Sequence, residues 1–373
     1  MERRSEKGVH PPSCTESPIS FTTSSQESGA AVGALEREIP PRTGPELLGA
    51  LRPFTKEARG RSWWYFLSTA LLVIVALAGT VWGGPLPVRA GISLVAGLLI
   101  VRLFVIYHDH QHRALLEGSR LAHGMMFVFG IYSLAPMSIW RSSHNHHHHH
   151  NCRLKSSHIG SYPIMTRERY LNSSRGDRIR YLAMRHPLTI LFGYVSVFLV
   201  GMCLAPFVRN PRRHWDAMLA LGVHAALWAV YHAVGGWEMV LLSLVLPQFV
   251  ASAAGSYLFY AQHNFPGVHH HQDDGWTYEG AALESSSYMR MHPVMAWFTG
   301  NIGYHHIHHL DPRIPFYRLP EAMRAVGELR NARTTSLAPR EIARCLRLKV
   351  WDPDAGRMIG LSQVRASRKS GGR

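Results

Sequence analysis

Cysteine is scarce in this chain. The four present, Cys14, Cys152, Cys203 and Cys345, are scattered and form no CxxC pair. That pattern excludes a disulfide framework and argues against thiolate zinc or iron–sulfur ligation. Acidic residues are also few, 24 against 40 Lys and Arg, which leaves a net charge of +16. Such a balance points to nucleic acid, an anionic membrane face or an acidic partner. No nucleic-acid recognition motif accompanies it, so loops facing anionic lipid account for the charge better. The first sixty residues are polar and rich in Pro, Ser and Gly, and do not read as a secretory leader. No internal repeat is visible.

Histidine is what the chain has in excess. There are 25, and 17 of them fall in or next to four short stretches, 108–112, 144–150, 263–271 and 305–309. Each stretch adjoins a long apolar run. Residues 1–44 have the composition of a disordered tail. Between 45 and 60, Leu47, Leu48, Leu51 and Phe54 recur at helical spacing among basic residues. This reads equally as a helix on a membrane surface or as a solvated linker helix.

Residues 63–83 hold no charge, and Trp64 and Trp82 lie near the ends of the run. The 18 residue steps from Trp64 to Trp82 span roughly 27 Å, the thickness of one bilayer core. Gly83-Gly84-Pro85 predicts a tight turn, and 88–107 returns, with Arg102 placed to snorkel toward headgroups. If the clusters at 108 and 144 share a site, 121–140 must lie in the interface or dip and return. Residues 108–186 carry 11 Lys and Arg against 4 acids, which places this segment and its histidines in the cytoplasm. The next apolar runs are 188–207, 215–233 and 237–260. Three crossings would put the last His cluster on the wrong side. The run 188–207 is therefore read as re-entrant or interfacial, broken near Gly201 and Pro206. The other two form a hairpin turning at Val234-Gly235-Gly236. A helix is predicted from Pro320 to about Asn331.

His108 and His112 stand at i and i+4, on one helical face. His144, His147 and His148 stand at i, i+3 and i+4, and His305, His308 and His309 repeat that spacing. Eight imidazoles exceed the capacity of one ion. Neutral imidazole suits Fe, Zn, Cu and Ni. Two adjacent irons able to activate O2 would attack an unactivated C–H bond, and beside a membrane that bond belongs to a lipid acyl chain. His146, His149 and His150 also satisfy HxxHH. Helical geometry alone does not choose between the registers, whereas the spacing from Trp140 favours the first.

The stretch Gly300-Asn301-Ile302-Gly303-Tyr304-His305-His306-Ile307-His308-His309-Leu310, followed by Arg313-Ile314-Pro315, resembles the third His box of the membrane fatty acid desaturase family. Trp140-Arg141-Ser142-Ser143-His144 and Tyr107-His108-Asp109 resemble the approaches to its second and first boxes. The likeness runs from about 60 to 345 and is nearest the acyl-lipid (Δ12/ω3-type) branch and its bacterial relatives.

The resemblance implies an all-α integral membrane fold. About four transmembrane helices and some interfacial ones would lie under a cytoplasmic, His-rich di-iron cap. The desaturase domain would span 45–345 and be followed by a basic tail, 346–373. It implies O2-dependent desaturation of a fatty acyl chain, with both termini cytoplasmic. The iron ligands would be His108, His112, His144, His147, His148, His305, His308 and His309, with His263 as a ninth. The acyl-CoA branch places an Asn four residues before that ninth ligand, whereas here Phe259 stands there, which counts against an acyl-CoA assignment. Electrons would come from a separate ferredoxin or cytochrome b5. His186-Pro187 and His292-Pro293 lack the glycines of a fused cytochrome b5 motif.

Other histidines receive plainer readings. His110 and His306 lie off ligand spacing, as supporting or surface groups. His269, His270 and His271 follow Pro266-Gly267 and read as an exposed loop. His224 and His232 sit in an apolar run, where an interhelical hydrogen bond explains them as well as function does. Asp109 is either an orienting partner of a ligand imidazole or a solvated helix-end acid. Two other functions compete: a lipid, carotenoid or alkane hydroxylase or ketolase on the same scaffold, and a His-rich metal transporter or sensor. The transporter reading requires ligands along the spans, and these histidines cluster at one end of them.

Overall fold

The computed structural model describes residues 42–156 and 159–370. The expected tail 1–44 lies almost wholly outside the described residues. Helix α1 (Gly44–Leu51) comes first. Leu47 and Leu51 are buried in the main core, and Gly44 N–H donates to Glu279 at 2.6 Å. The segment is therefore packed into the protein and is not a free linker. Residues 279 and 318, far off in sequence, hold Gly44 at its start and Pro53 just beyond its end.

Helices α2 (Arg59–Val81) and α3 (Leu86–Gln111) form the first apolar hairpin. At the turn, a Cβ on Gly84 would come within 2.3 Å of the exposed Trp82 ring, which would have to swing aside. Both helices are long and apolar enough to cross a membrane. Trp64, Leu71, Ile74 and Val75 of α2 point outward uncovered, a surface suited to lipid tails and unsuited to water. Arg102 of α3 does not snorkel. It is buried, donates to Thr69 Oγ1 at 3.2 Å and to the Trp297 carbonyl, and lies 4.2 Å from the Trp297 ring centroid.

Helices α4 (Arg120–Tyr132) and α5 (Met137–His149) meet at a bend of 91°. Leu134 takes φ 54° there, and Tyr107 Oη donates to the Ala135 carbonyl at 2.7 Å. The run 121–140 is therefore not a straight span. Short helices α6 (Arg167–Asn172), α7 (Arg175–Met184) and α8 (Pro187–Leu191) cross the basic segment.

Helix α9 (Tyr194–Arg209) is too short to count as a span by length. The expected break near Gly201 and Pro206 is not there. The chain bends at Phe192–Gly193, and 194–204 runs on as π-helix into the α-helical Ala205–Arg209. Pro206 falls in the first turn after the π stretch. Pro247 repeats that position after a second π stretch, Leu241–Val245. A widened turn gives room to a ring that would otherwise strike the preceding carbonyl. Gly193 is required by packing, since a Cβ would lie 2.2 Å from Ser256 Oγ.

Helices α10 (Trp215–Val240) and α11 (Leu246–Ala261) form the second hairpin. Its turn is at Gly235 and Gly236, as expected, where the backbone leaves helical geometry and Gly236 takes φ 65°. The two outer ends meet the same helix, α5. Asp216 accepts from Ser138 N and Oγ at 2.9 and 2.6 Å, and His263 lies 3.0 Å from His147. The tips of both hairpins are joined by Arg89 and Glu238 and by Thr80 Oγ1 donating to Ser243 Oγ at 2.8 Å. Four apolar arms thus open toward one face, where the histidines lie.

That face is closed by short helices α12 (Tyr278–Ser285), α13 (Pro293–Phe298) and α14 (His305–Leu310), and by a parallel pair of strands, Tyr288–Arg290 with Thr334–Ser336. The helix expected at 320–331 is Leu319–Ala325 followed by a 3-10 turn, Gly327–Asn331. Past residue 346 the chain does not simply trail away. Val350–Asp352 pairs antiparallel with Arg357–Ile359, and Val350 and Trp351 are buried.

Candidate metal centre

All nine sequence-predicted positions converge in two groups. His108, His112, His144, His148 and His308 form one. His147, His263, His305 and His309 form the other. Within each group the candidate donor atoms lie within 4.8 Å of one another, and every residue but the half-buried His112 is buried. The scaffold explains the convergence. The last turn of α3 carries His108, α5 carries the second box on its inner face, His263 follows α11, and α14 carries the third box. Gly300 and Asn301, at φ 52° and 55°, turn the chain into α14. Asn301 Nδ2 then donates to the Phe316 carbonyl at 3.2 Å, which is why this Gly-Asn pair precedes the box.

The ring nitrogens of the two groups face one another at close range. His108 Nδ1 lies 3.0 Å from Asp109 Oδ1, and His263 Nδ1 lies 3.1 Å from the Ser285 carbonyl. Each Nδ1 is therefore the protonated nitrogen, and each Nε2 presents a lone pair. Those lone pairs approach other Nε2 atoms at 2.8 Å (His108 to His144), 3.0 Å (His147 to His263) and 2.9 Å (His263 to His305). Neutral imidazoles converging this closely in a buried site are a donor set that fits bound metal. Burial first, and neighbouring imidazoles second, hold His305, His308 and His309 well below the usual imidazole range. Burial brings His263 down to about 4 against the pull of the Ser285 carbonyl. All four are neutral at physiological pH, the state a metal requires.

The two registers of the second box occupy different places. His144, His147 and His148 are buried in the cluster, whereas His149 is exposed and His146 stacks on His150 at 4.0 Å outside it. His306 is turned away, with Nε2 3.1 Å from the Leu329 carbonyl, and His110 lies 3.1 Å from the Leu115 carbonyl. Both are buried supports. Asp109 is an orienting partner and not a solvated acid, since it is buried between His108 and the Phe316 N–H. His224 is buried without a hydrogen-bond partner, and His232 is exposed beside Trp237.

The loop at 269–271 differs from expectation. His270 is only 3% exposed. Backbone bonds hold the loop down, from His271 N to Cys152 O at 3.1 Å and from Leu154 N to His271 O at 3.2 Å, and the Trp351 ring covers His270 at 5.2 Å. Reasoning from residue types also missed the Ser285 carbonyl, which carries no side-chain signal. The Trp140 ring, stacked on His144 at 4.8 Å, was legible only as an aromatic near a box. Phe259 places its ring 4.9 Å from His147 and 5.9 Å from His263, an apolar wall among the donors.

The family model for fatty acid desaturases matches residues 84–337. A fatty acid desaturase of Bacillus subtilis is 29% identical over 275 residues, covering 74% of this chain and 78% of that one. A Delta(12)-fatty-acid desaturase of Arabidopsis thaliana is 24% identical over 62% of this chain and 63% of its own length. An sn-1 acyl-lipid omega-3 desaturase (ferredoxin) of Nostoc sp. is 23% identical over 62% of this chain and 66% of its own. With the matched region covering α3, the second hairpin and all nine imidazoles, this chain belongs to the fatty acid desaturase family.

Proposed function

We propose that this protein inserts a double bond into a membrane-lipid acyl chain, with two irons held by the nine histidines. The observation that carries the reading is the division of the imidazoles into groups of five and four around adjacent points. One iron in each group would supply, from O2 and two external electrons, the oxidant that removes two hydrogens from neighbouring carbons. His108, His112, His144, His148 and His308 hold the first ion, and His147, His263, His305 and His309 the second. Asp109 and the Ser285 carbonyl keep the Nε2 atoms of His108 and His263 aimed inward. The Phe259 and Trp140 rings stand against the donors and give the site an apolar wall on those sides.

The open end of the two hairpins, which carries these residues and the basic segment, faces the cytoplasm in this reading. There an acidic ferredoxin or cytochrome b5 would deliver electrons. The desaturase domain spans 45–345. The likeness to an acyl-lipid desaturase of Nostoc sp. supports a lipid-linked acyl chain, as does Phe259 in place of an amide.

The test is fatty acid methyl ester profiling of a host expressing the chain, beside a His305→Ala control. A new unsaturated acid absent from the control is expected. A hydroxylated or keto product would instead assign the oxygenase chemistry available to the same scaffold.

A further inference from the structure

A small, partly open cavity shares only His263 with the imidazole cluster. Tyr162, Arg185, Tyr260, Asn264 and His270 also line it, and it has room for about one water-sized body, about 10 Å3. Arg185 is fully buried. It donates to Pro163 O at 2.9 Å, Asn264 Oδ1 at 2.7 Å and Tyr260 Oη at 3.3 Å. All of these acceptors are neutral, and no ion pair to a carboxylate is formed by Arg185 among the described residues. Its Nε has no acceptor. Lys349 donates to the Arg185 carbonyl and lies 5.9 Å from the Tyr260 ring, which adds a second cation. His270, 3% exposed, leaves both ring nitrogens without a partner.

A guanidinium stays charged however deeply it is buried. Neutral acceptors replace part of its hydration but none of its counter-charge, and native interiors pair such groups. Here an orphan N–H of Arg185 and an orphan imidazole line a single cavity. A water molecule would satisfy the donors and bring no charge. An anion does both. We infer that this cavity binds one small monovalent anion, a halide or an ion of that size, held by Arg185 Nε–H and a ring N–H of His270. The anion is the missing counter-ion of the buried cation pair, and it lies against the metal-ligand candidate His263.

The experiment uses the full-length protein in detergent, dialysed into sodium gluconate and titrated with sodium chloride or bromide at constant ionic strength. Tm is followed, and bound radiolabelled chloride is counted by equilibrium dialysis. A saturable rise in Tm with either halide and close to one bound chloride per chain are expected. His270→Phe keeps an aromatic ring, removes both nitrogens and should weaken halide binding roughly tenfold or more. His308→Ala, which alters the metal centre, should leave the halide response intact. Tm values in halide that match those in gluconate would overturn the inference and assign the cavity to water. A halide response lost in His308→Ala but kept in His270→Phe would overturn it as well, by placing the halide on the metals.

Discussion

Asp109 Oδ1 lies 3.0 Å from Nδ1 of His108, its neighbour in sequence, while Oδ2 accepts the N–H of Phe316 at 2.7 Å. One buried carboxylate thus orients an imidazole of the first box and pins the segment that follows the third. Carboxylate–His contacts of this kind raise ligand basicity and fix the tautomer. Asp109→Asn is expected to lower iron affinity about 10- to 100-fold, read by chelator competition, with most of the fold retained. Unchanged iron retention would show that the contact is structural only.

His308 and His306 separate binding from support on one helix. His308→Ala removes one of the five imidazoles in the first group, and iron per chain and turnover should both fall sharply. His306→Ala frees the Leu329 carbonyl, for a loss of about 1–3 kcal/mol in stability, while iron is kept. Metal analysis and thermal unfolding of the two variants side by side decide between these roles.

Within the second box, His148→Ala should abolish activity, and His149→Ala should leave it near that of the unaltered protein. His148 is buried among the donors and His149 is exposed, where a substitution ordinarily shifts stability by less than about 0.5 kcal/mol. The reverse result would move the box to the other HxxHH register.

Gly97 lets α3 and α11 touch. A Cβ there would lie 2.6 Å from Val250 Cβ and 2.8 Å from the Pro247 carbonyl. Gly97→Val is expected to cost about 1–3 kcal/mol or more through overpacking, seen as a lower midpoint in detergent unfolding. An unshifted midpoint would mean that the two hairpins slide past each other freely.

Lys349 gives a pH signature. Burial, with the Arg185 charge second, lowers its pKa from 10.5 to about 8. Between those values the unfolded chain holds one more proton than the folded one. Stability therefore rises with pH across that window, and the penalty for the buried charge is fully present below about 8. Unfolding midpoints of the unaltered protein should climb from pH 8 to 10, and Lys349→Met should flatten that part of the slope.

Much of this was legible in the sequence because it rests on short-range pattern. A charge-free run bounded by Trp marks the first apolar arm, Gly235-Gly236 marks a turn, and i, i+4 or i, i+3, i+4 spacing puts each box on one helical face. Other features depend on which segments meet. The break at Phe192–Gly193, and not at Pro206, follows from π-helical turns that accommodate proline and from Gly193 pressed on Ser256. His270 carries the polarity of a loop residue, yet Trp351, 81 positions on in the chain, covers it. The sequence by itself determined which residues could bind metal and roughly where the membrane arms run. Only the tertiary structure decided that the imidazoles divide into five and four, that Asp109 serves two elements, and that Arg185 is buried with no carboxylate partner. Local spacing sets the face a side chain occupies, whereas partners and burial are settled only when distant segments pack.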